Sequence, residues 1–192
     1  MLVFLVAPLH CIAAEPRSPV VRRVWVGPKP GDFDDTWAVS RDGRYLAFRD
    51  SDSRIGVYDL RSSHSRTLPV RLPDQQWRVV FSWSPDSSQL AFNRAAEKGE
   101  ELVAIAIGGT SQRTLARVDA PLAPIGWSAD GQRVAVAIER GTSVELSWVS
   151  VSAGARRITA VSDAVRNGRS FAAILSPDSR HIAFTRFTNN GS

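Results

Sequence analysis

Four serine–aspartate pairs are the first residues whose types and spacing could do chemistry: Ser40/Asp42, Ser84/Asp86, Ser128/Asp130 and Ser176/Asp178. A hydroxyl two residues from a carboxylate could be a nucleophile near a base, or part of an oxygen ligand set for a cation. Either use needs one site per chain, yet the pair recurs with its serines 44, 44 and 48 residues apart. Repetition points to a turn. Aspartate accepts backbone N–H bonds, Pro85 and Pro177 preset φ at the first central position, and Gly43 and Gly131 allow positive φ. Ser87 and Ser179 stand where those glycines stand, so their turns either stay right-handed or carry strain. Ser40, Asp42, Gly43, Ser84, Asp86, Ser128, Asp130, Gly131, Ser176 and Asp178 are therefore read as structural turn residues.

Other clusters are weaker. Gly168-Arg169-Ser170-Phe171-Ala172 comes within one residue of the G-x-S-x-G nucleophile elbow, with Ala172 in place of the last glycine. That elbow needs a strand before it and a helix after it; here a polar loop precedes and a strand follows, so Ser170 is read as a loop serine. Asp32, Asp34 and Asp35 bring three carboxylates into one loop. Calcium favours such oxygens, but the EF-hand loop pattern is missing, and a solvated acidic loop is expected. If that loop has a role, a basic partner fits it as well as a cation does. The single Cys11 and the scattered His10, His64 and His181 supply neither a disulfide nor a zinc set. No catalytic residue, metal or cofactor is expected.

The tryptophans separate by position. Trp83 and Trp127 precede the serine at matching repeat positions and Trp148 lies within a strand, so packing between repeats is the expectation for all three. Trp37 and Trp77 border loops that lead into first strands, with Arg78 beside the latter. Tryptophan and arginine are favoured anchors at interfaces. Asp32, Asp34, Asp35, Trp37, Trp77 and Arg78 are accordingly the candidate partner-binding residues.

The elements that must hold these residues follow from the repeat. Each copy opens with an apolar strand, turns at serine and aspartate, and continues into a second strand. A third strand follows at 55–60, 102–107 and 144–151, and a fourth at 66–68, 112–115 and 156–159. Residues 102–107 are apolar at both parities, as suits a sheet covered on both faces. A period in the 40s with four strands per unit is the mark of β-propeller blades. Blades are expected at about 36–68, 79–115 and 124–159, with a partial one at 171–187, while 22–26 resembles the outer strand of a further blade. The expected class is all-β: an incomplete propeller of about three and a half four-stranded antiparallel blades, spread as an open arc over residues 15–192. Such an arc exposes an apolar face and unpaired edges, so this polypeptide alone is expected to self-associate.

A chain of 192 residues with 43% apolar and 22% charged residues can bury one substantial core. Its net charge of +5 is carried almost wholly by arginine, dispersed along the repeats rather than concentrated on one element. Nucleic-acid binders concentrate that charge, so no nucleic-acid partner is expected. Residues 1–14 are apolar and end in small residues before Glu15, which reads as a signal peptide or the remnant of a membrane anchor. Fourteen residues are too few to span a bilayer, which takes about 20. A periplasmic or extracellular location follows, with membrane contact only through such an anchor.

The Ser-Pro-Asp-Gly/Ser phrase, its Leu/Ile-Ala-Phe strand, and the Ile-x-Val-x-Asp-Leu and Arg-x-Leu strands after it resemble TolB-like β-propeller repeats. They are also similar to repeats in the propellers of tricorn-type proteases and prolyl oligopeptidases. The resemblance covers about residues 20–187. It implies a docking platform, a sensor domain or a gate to a hydrolase. The favoured expectation is a non-enzymatic module that binds a protein or peptide through loops at 27–36, 69–78, 116–124 and 160–171. The alternatives are the N-terminal propeller of a serine peptidase and the extracytoplasmic sensor of a membrane-anchored regulator.

Overall fold

The computed structural model describes residues 36–74, 76, 78–152, 155–161 and 172–185, with 155–161 as backbone only. The expected leader at 1–14, the strand at 22–26, Asp32, Asp34, Asp35, Trp77 and Ser170 lie outside these residues.

Each serine–aspartate phrase forms the first hairpin of an antiparallel sheet. The first sheet runs in order through β1 (Trp37–Val39), β2 (Tyr45–Arg49), β3 (Arg54–Asp59) and β4 (His64–Arg71). The second runs through β5 (Phe81–Trp83), β6 (Gln89–Ala95), β7 (Glu100–Ala106) and β8 (Gln112–Val118). The third comprises β9 (Leu122–Trp127), β10 (Arg133–Arg140), β11 (Ser143–Ser150) and β12 (Ala155–Val161). A two-stranded sheet follows, β13 (Ala173–Leu175) paired with β14 (Ile182–Phe184). The fourth strands are longer than the sequence pattern marks, because their polar outer residues keep the ladder although they bury little. The fold is all-β, with four-stranded antiparallel sheets in an arrangement left open among the described strands.

The sheets stack face to face in chain order. On β6, Leu90 and Phe92 turn to the first sheet, while Ala91 between them turns to the third. On β7, Val103 and Ile105 share the first seam and Leu102 and Ala104 the second. All are at most 3% exposed, which is why both parities of these strands are apolar. A third, smaller cluster joins Ala137, Val144 and Leu146 to Ala173 and Ile182.

First strands line up along the inner side, β5 against β1, β9 against β5 and β13 against β9. Indoles set that register. Trp83 Nε1 donates to the Ala38 carbonyl (2.9 Å) and Trp127 Nε1 to that of Ser82 (3.0 Å), each satisfying an acceptor on the neighbouring inner strand. The Trp83 ring also stacks on Tyr45 at 5.9 Å. Trp148 departs from the core expectation. It is half-buried, with the Arg133 guanidinium 4.9 Å from its ring centroid. It sits on β11, in the outer half of the third sheet.

The turns repeat atom for atom. In each, the serine hydroxyl donates to the aspartate two residues on, at 2.6 Å from Ser40 and Ser84 and at 2.5 Å from Ser128 and Ser176. The same Oγ accepts the N–H five residues on, from Tyr45, Gln89, Arg133 or His181. Ser87 and Ser179 take positive φ, at 59° and 60°. Their hydroxyls then reach across the seam: Ser87 Oγ accepts from the Asp42 N–H (3.3 Å) and Ser179 Oγ from that of Ala129 (2.7 Å). The bond between turns offsets part of the left-handed strain.

Ser84→Ala removes two hydrogen bonds from a side chain only 2% exposed and is expected to cost about 1–3 kcal/mol, read from urea unfolding. The turn aspartates Asp42, Asp86, Asp130 and Asp178 are held below the usual carboxylate range, chiefly by their serine hydroxyls. Asp59, beside the Arg44 guanidinium, is held down to about 2. A depressed folded-state pKa adds stability above the unfolded value, which is lost as pH falls through the folded one. Stability should therefore decline as pH drops below the ordinary aspartate value of 3.8. The gap between Ser84→Ala and the parent should narrow over the same window, because Asp86 is then protonated in both.

Candidate functional site

The antiparallel order divides the connections between two ends. Serine–aspartate turns close one end. At the other lie the hairpins joining second to third strands, and the connections from each fourth strand to the next sheet. At this loop end a cavity of about 500 Å³ opens beside the second sheet, lined by Pro73, Gln76, Arg78, Ala95, Ala96, Glu97 and Glu100. Pro73, Gln76 and Arg78 come from the connection after β4. The others sit where β6 turns into β7.

A polar network beneath the cavity holds it open. Gln76, 4% exposed, donates through Nε2 to the carbonyls of Arg78 and Asn93 (3.0 Å each), while its Oε1 accepts the Ala95 N–H (3.1 Å). The connection is thereby stitched to β6. Asn93, 1% exposed, accepts the Val80 N–H (2.7 Å) and donates to the Arg78 carbonyl and to both oxygens of Glu100 (3.2 Å). Glu100 Oε2 accepts the N–H of Leu122, the first residue of β9, at 2.6 Å. One carboxylate thus ties the second sheet to the third. Burial pushes the Glu100 carboxyl above its usual range, and the nearby Glu139 adds to that, although the Leu122 and Asn93 bonds and the Arg78 charge oppose it. Arg78 lies 3.8 Å from Glu139 across the same seam.

A second cavity, of about 230 Å³, lies on the first sheet among Arg44, Tyr45, Val57, Asp59, Ser62, His64, Ser65 and Arg66. Two of its charges are paired with each other: Arg44 makes bonds of 3.0 and 2.9 Å to Asp59, which also accepts from the Arg61 and Ser62 N–H groups. That arrangement belongs to a turn.

Of the partner-binding candidates, Arg78 stands in the loop-end wall. Trp37 opens β1 on the first sheet's outward face, 60% exposed, and does not line the cavity. Asp32, Asp34, Asp35 and Trp77 lie outside the described residues. Sequence reasoning missed Asn93 and Glu100. The signal was available: Asn93 interrupts an apolar strand where the third repeat has Ala137. A buried amide there needs partners on both sides.

Four-stranded antiparallel sheets, stacked face to face and joined along their first strands, define the class as the β-propeller fold in a partial, unclosed form. Solved structures share this architecture. The chain is similar to TolB from Acinetobacter baumannii, with a TM-score of 0.62 and 16% identity, over 81% of this chain and 38% of that one. It is similar to a putative TolB from Agrobacterium tumefaciens, with a TM-score of 0.60 and 16% identity, over 80% of this chain and 54% of that one. The tricorn protease matches with a TM-score of 0.57 and 18% identity, over 81% of this chain and 14% of that one. At these identities the likeness is one of fold, reaching TolB and a protease alike, and the chain spans 54% or less of each of these proteins. No protein-family model and no curated protein matches the chain.

Proposed function

We propose that the chain is a non-enzymatic, exported interaction module that docks a protein or peptide at its loop end. The observation that carries this reading is the cavity of about 500 Å³ held open over the Gln76–Asn93–Glu100 network. Recognition sites are concave with fixed polar groups, and here Gln76 and Glu100 are fixed by hydrogen bonds beside the apolar Pro73, Ala95 and Ala96. Export is supported by the apolar residues 1–14. The likeness to TolB supports a docking role only through the fold.

The test is photo-crosslinking in the cells that make the protein, with a reactive residue at Ala96 on the loop end or at Ser62 on the turn end. Protein adducts are expected from Ala96 and not from Ser62; adducts confined to Ser62 would overturn the loop-end assignment. A serine-reactive fluorophosphonate probe is expected to leave the chain unlabelled, because the sequence around Ser170 does not follow the strand–elbow–helix pattern. Specific labelling of Ser170 would replace the module with a hydrolase.

A further inference from the structure

We propose that the loop-end cavity is a subsite for a basic side chain, the guanidinium or ammonium group of an arginine or lysine in the docked peptide. This deepens the loop-end reading above and rests on it.

The charge inventory around the cavity is lopsided. Glu97 and Glu100 line it and Glu139 borders it across the seam, against one guanidinium, Arg78, which lies 3.8 Å from Glu139. That excess of negative charge stands in a chain whose net charge is +5. Glu100 takes its hydrogen bonds from neutral donors, the Asn93 amide and the Leu122 N–H, and makes no ion pair among the described residues. The Arg78 charge near this partly buried carboxylate is shared with Glu139, which leaves Glu100 short of counter-charge.

The neighbouring cations are engaged elsewhere. Arg94 is bound to Glu101 (2.6 Å) and Gln112 (2.8 Å). Arg49 donates to the Gln76 carbonyl (2.5 Å) and to Ser53 (3.1 Å). Lys98, at the hairpin tip, is exposed and does not line the cavity. An arriving cation therefore displaces no ion pair.

The remaining lining fits the same ligand. Gln76 spends its amide on backbone groups, so among the described residues the side chains left to meet a ligand are the acceptors Glu97 and Glu100, the apolar Pro73, Ala95 and Ala96, and Arg78, whose charge is shared with Glu139. Lysine and arginine carry an aliphatic stem behind a donor-only head, which matches apolar walls and carboxylate acceptors together. Among the described residues an anionic ligand would have only Arg78, already beside Glu139, and would face the two lining carboxylates of Glu97 and Glu100.

The test is amide-shift titration of the whole isotope-labelled protein with three capped tripeptides, Gly-Arg-Gly, Gly-Ala-Gly and Gly-Glu-Gly. The arginine peptide is expected to move the amides of residues 95–97, 100 and 122, and the glutamate peptide to leave them in place. Glu97→Gln, at an exposed rim position, should weaken binding about threefold, as screened rim charges do. Adding Glu100→Gln should weaken it at least about tenfold, since a desolvated charge counts for more. Glu100 also holds Leu122, so the double variant is scored only where its amide spectrum stays folded; Glu97→Gln keeps the proposal testable if it does not. The proposal is overturned if the arginine peptide moves none of these amides at about 20 mM, well above the 1 mM that corresponds to −4.1 kcal/mol. Equal binding of the three peptides at these amides, or an unchanged affinity in Glu97→Gln and the double variant, also overturns it. Those two results leave loop-end docking standing, whereas crosslinks confined to Ser62 remove the docking site itself.

Discussion

Gly99→Ala is expected to cost on the order of 3–5 kcal/mol, the class of loss produced by backbone strain plus overpacking. Gly99 turns β6 into β7 at φ +68°, and a Cβ there would stand 2.0 Å from the Val118 carbonyl oxygen and 2.5 Å from the Ala120 nitrogen. Both are backbone atoms of the segment that carries the chain from the second sheet to the third, so no side-chain rotation relieves the clash. Gly141 supplies the internal standard. It occupies the corresponding hairpin of the third sheet at φ +64°, yet a Cβ there meets nothing within 4 Å. Gly141→Ala should lose only the left-handed cost, about 1–2 kcal/mol. Urea unfolding of the two variants separates conformation from contact. Equal losses would mean that the approach of residues 118–120 to the hairpin is not as described. Against a total stability of about 5–15 kcal/mol, the larger loss would leave a population partly unfolded.

Asn93→Leu should be nearly as damaging, at about 3 kcal/mol. Leucine keeps the branching of the amide and is somewhat bulkier, so no cavity opens. The loss comes from the groups left behind: the Val80 N–H has no acceptor, and Glu100 keeps only the Leu122 N–H to support its partly buried charge. Asn93→Asp separates these effects. It retains an acceptor for Val80 but sets a second carboxylate against Glu100, raising a pKa that burial has already raised. A group with a raised folded-state pKa contributes stability at low pH that is lost as pH rises through that value. Asn93→Asp should therefore fall furthest behind the parent near neutral pH and recover on mild acidification, as followed by thermal unfolding at pH 7 and pH 5. A deficit independent of pH would detach Asn93 from Glu100.

The propeller architecture was legible because its signal is local and repeated. A serine, an aspartate two residues on and an apolar strand behind them are enough to form the same hydrogen-bonded turn four times. Ser87 and Ser179 were ambiguous for a related reason. Their conformation is settled by a bond to the preceding turn, which lies a whole repeat away in sequence. The loop-end network was harder still. Gln76, Asn93, Glu100 and Leu122 are spaced without period, and they meet only because stacking brings a connection, a strand and the next sheet's first residue together. Arg78 could be marked by residue type, but its neighbour Glu139 could not, since that proximity crosses a seam. Trp148 was read as core from its place in a strand, whereas its ring is half-buried beneath the Arg133 guanidinium.

The seams run in series. Each core cluster lies between consecutive sheets, the first with the second, the second with the third, and the third with the two-stranded one. Coupling of that kind is one-dimensional: a sheet feels a distant lesion only through those between, and opening spreads from the ends inward. The second sheet has a filled seam on either side, so its amides should exchange with solvent last. Breathing at either end of the described stack would then leave the floor beneath Glu100 in place, so the outer sheets could loosen without disturbing the surface proposed for docking.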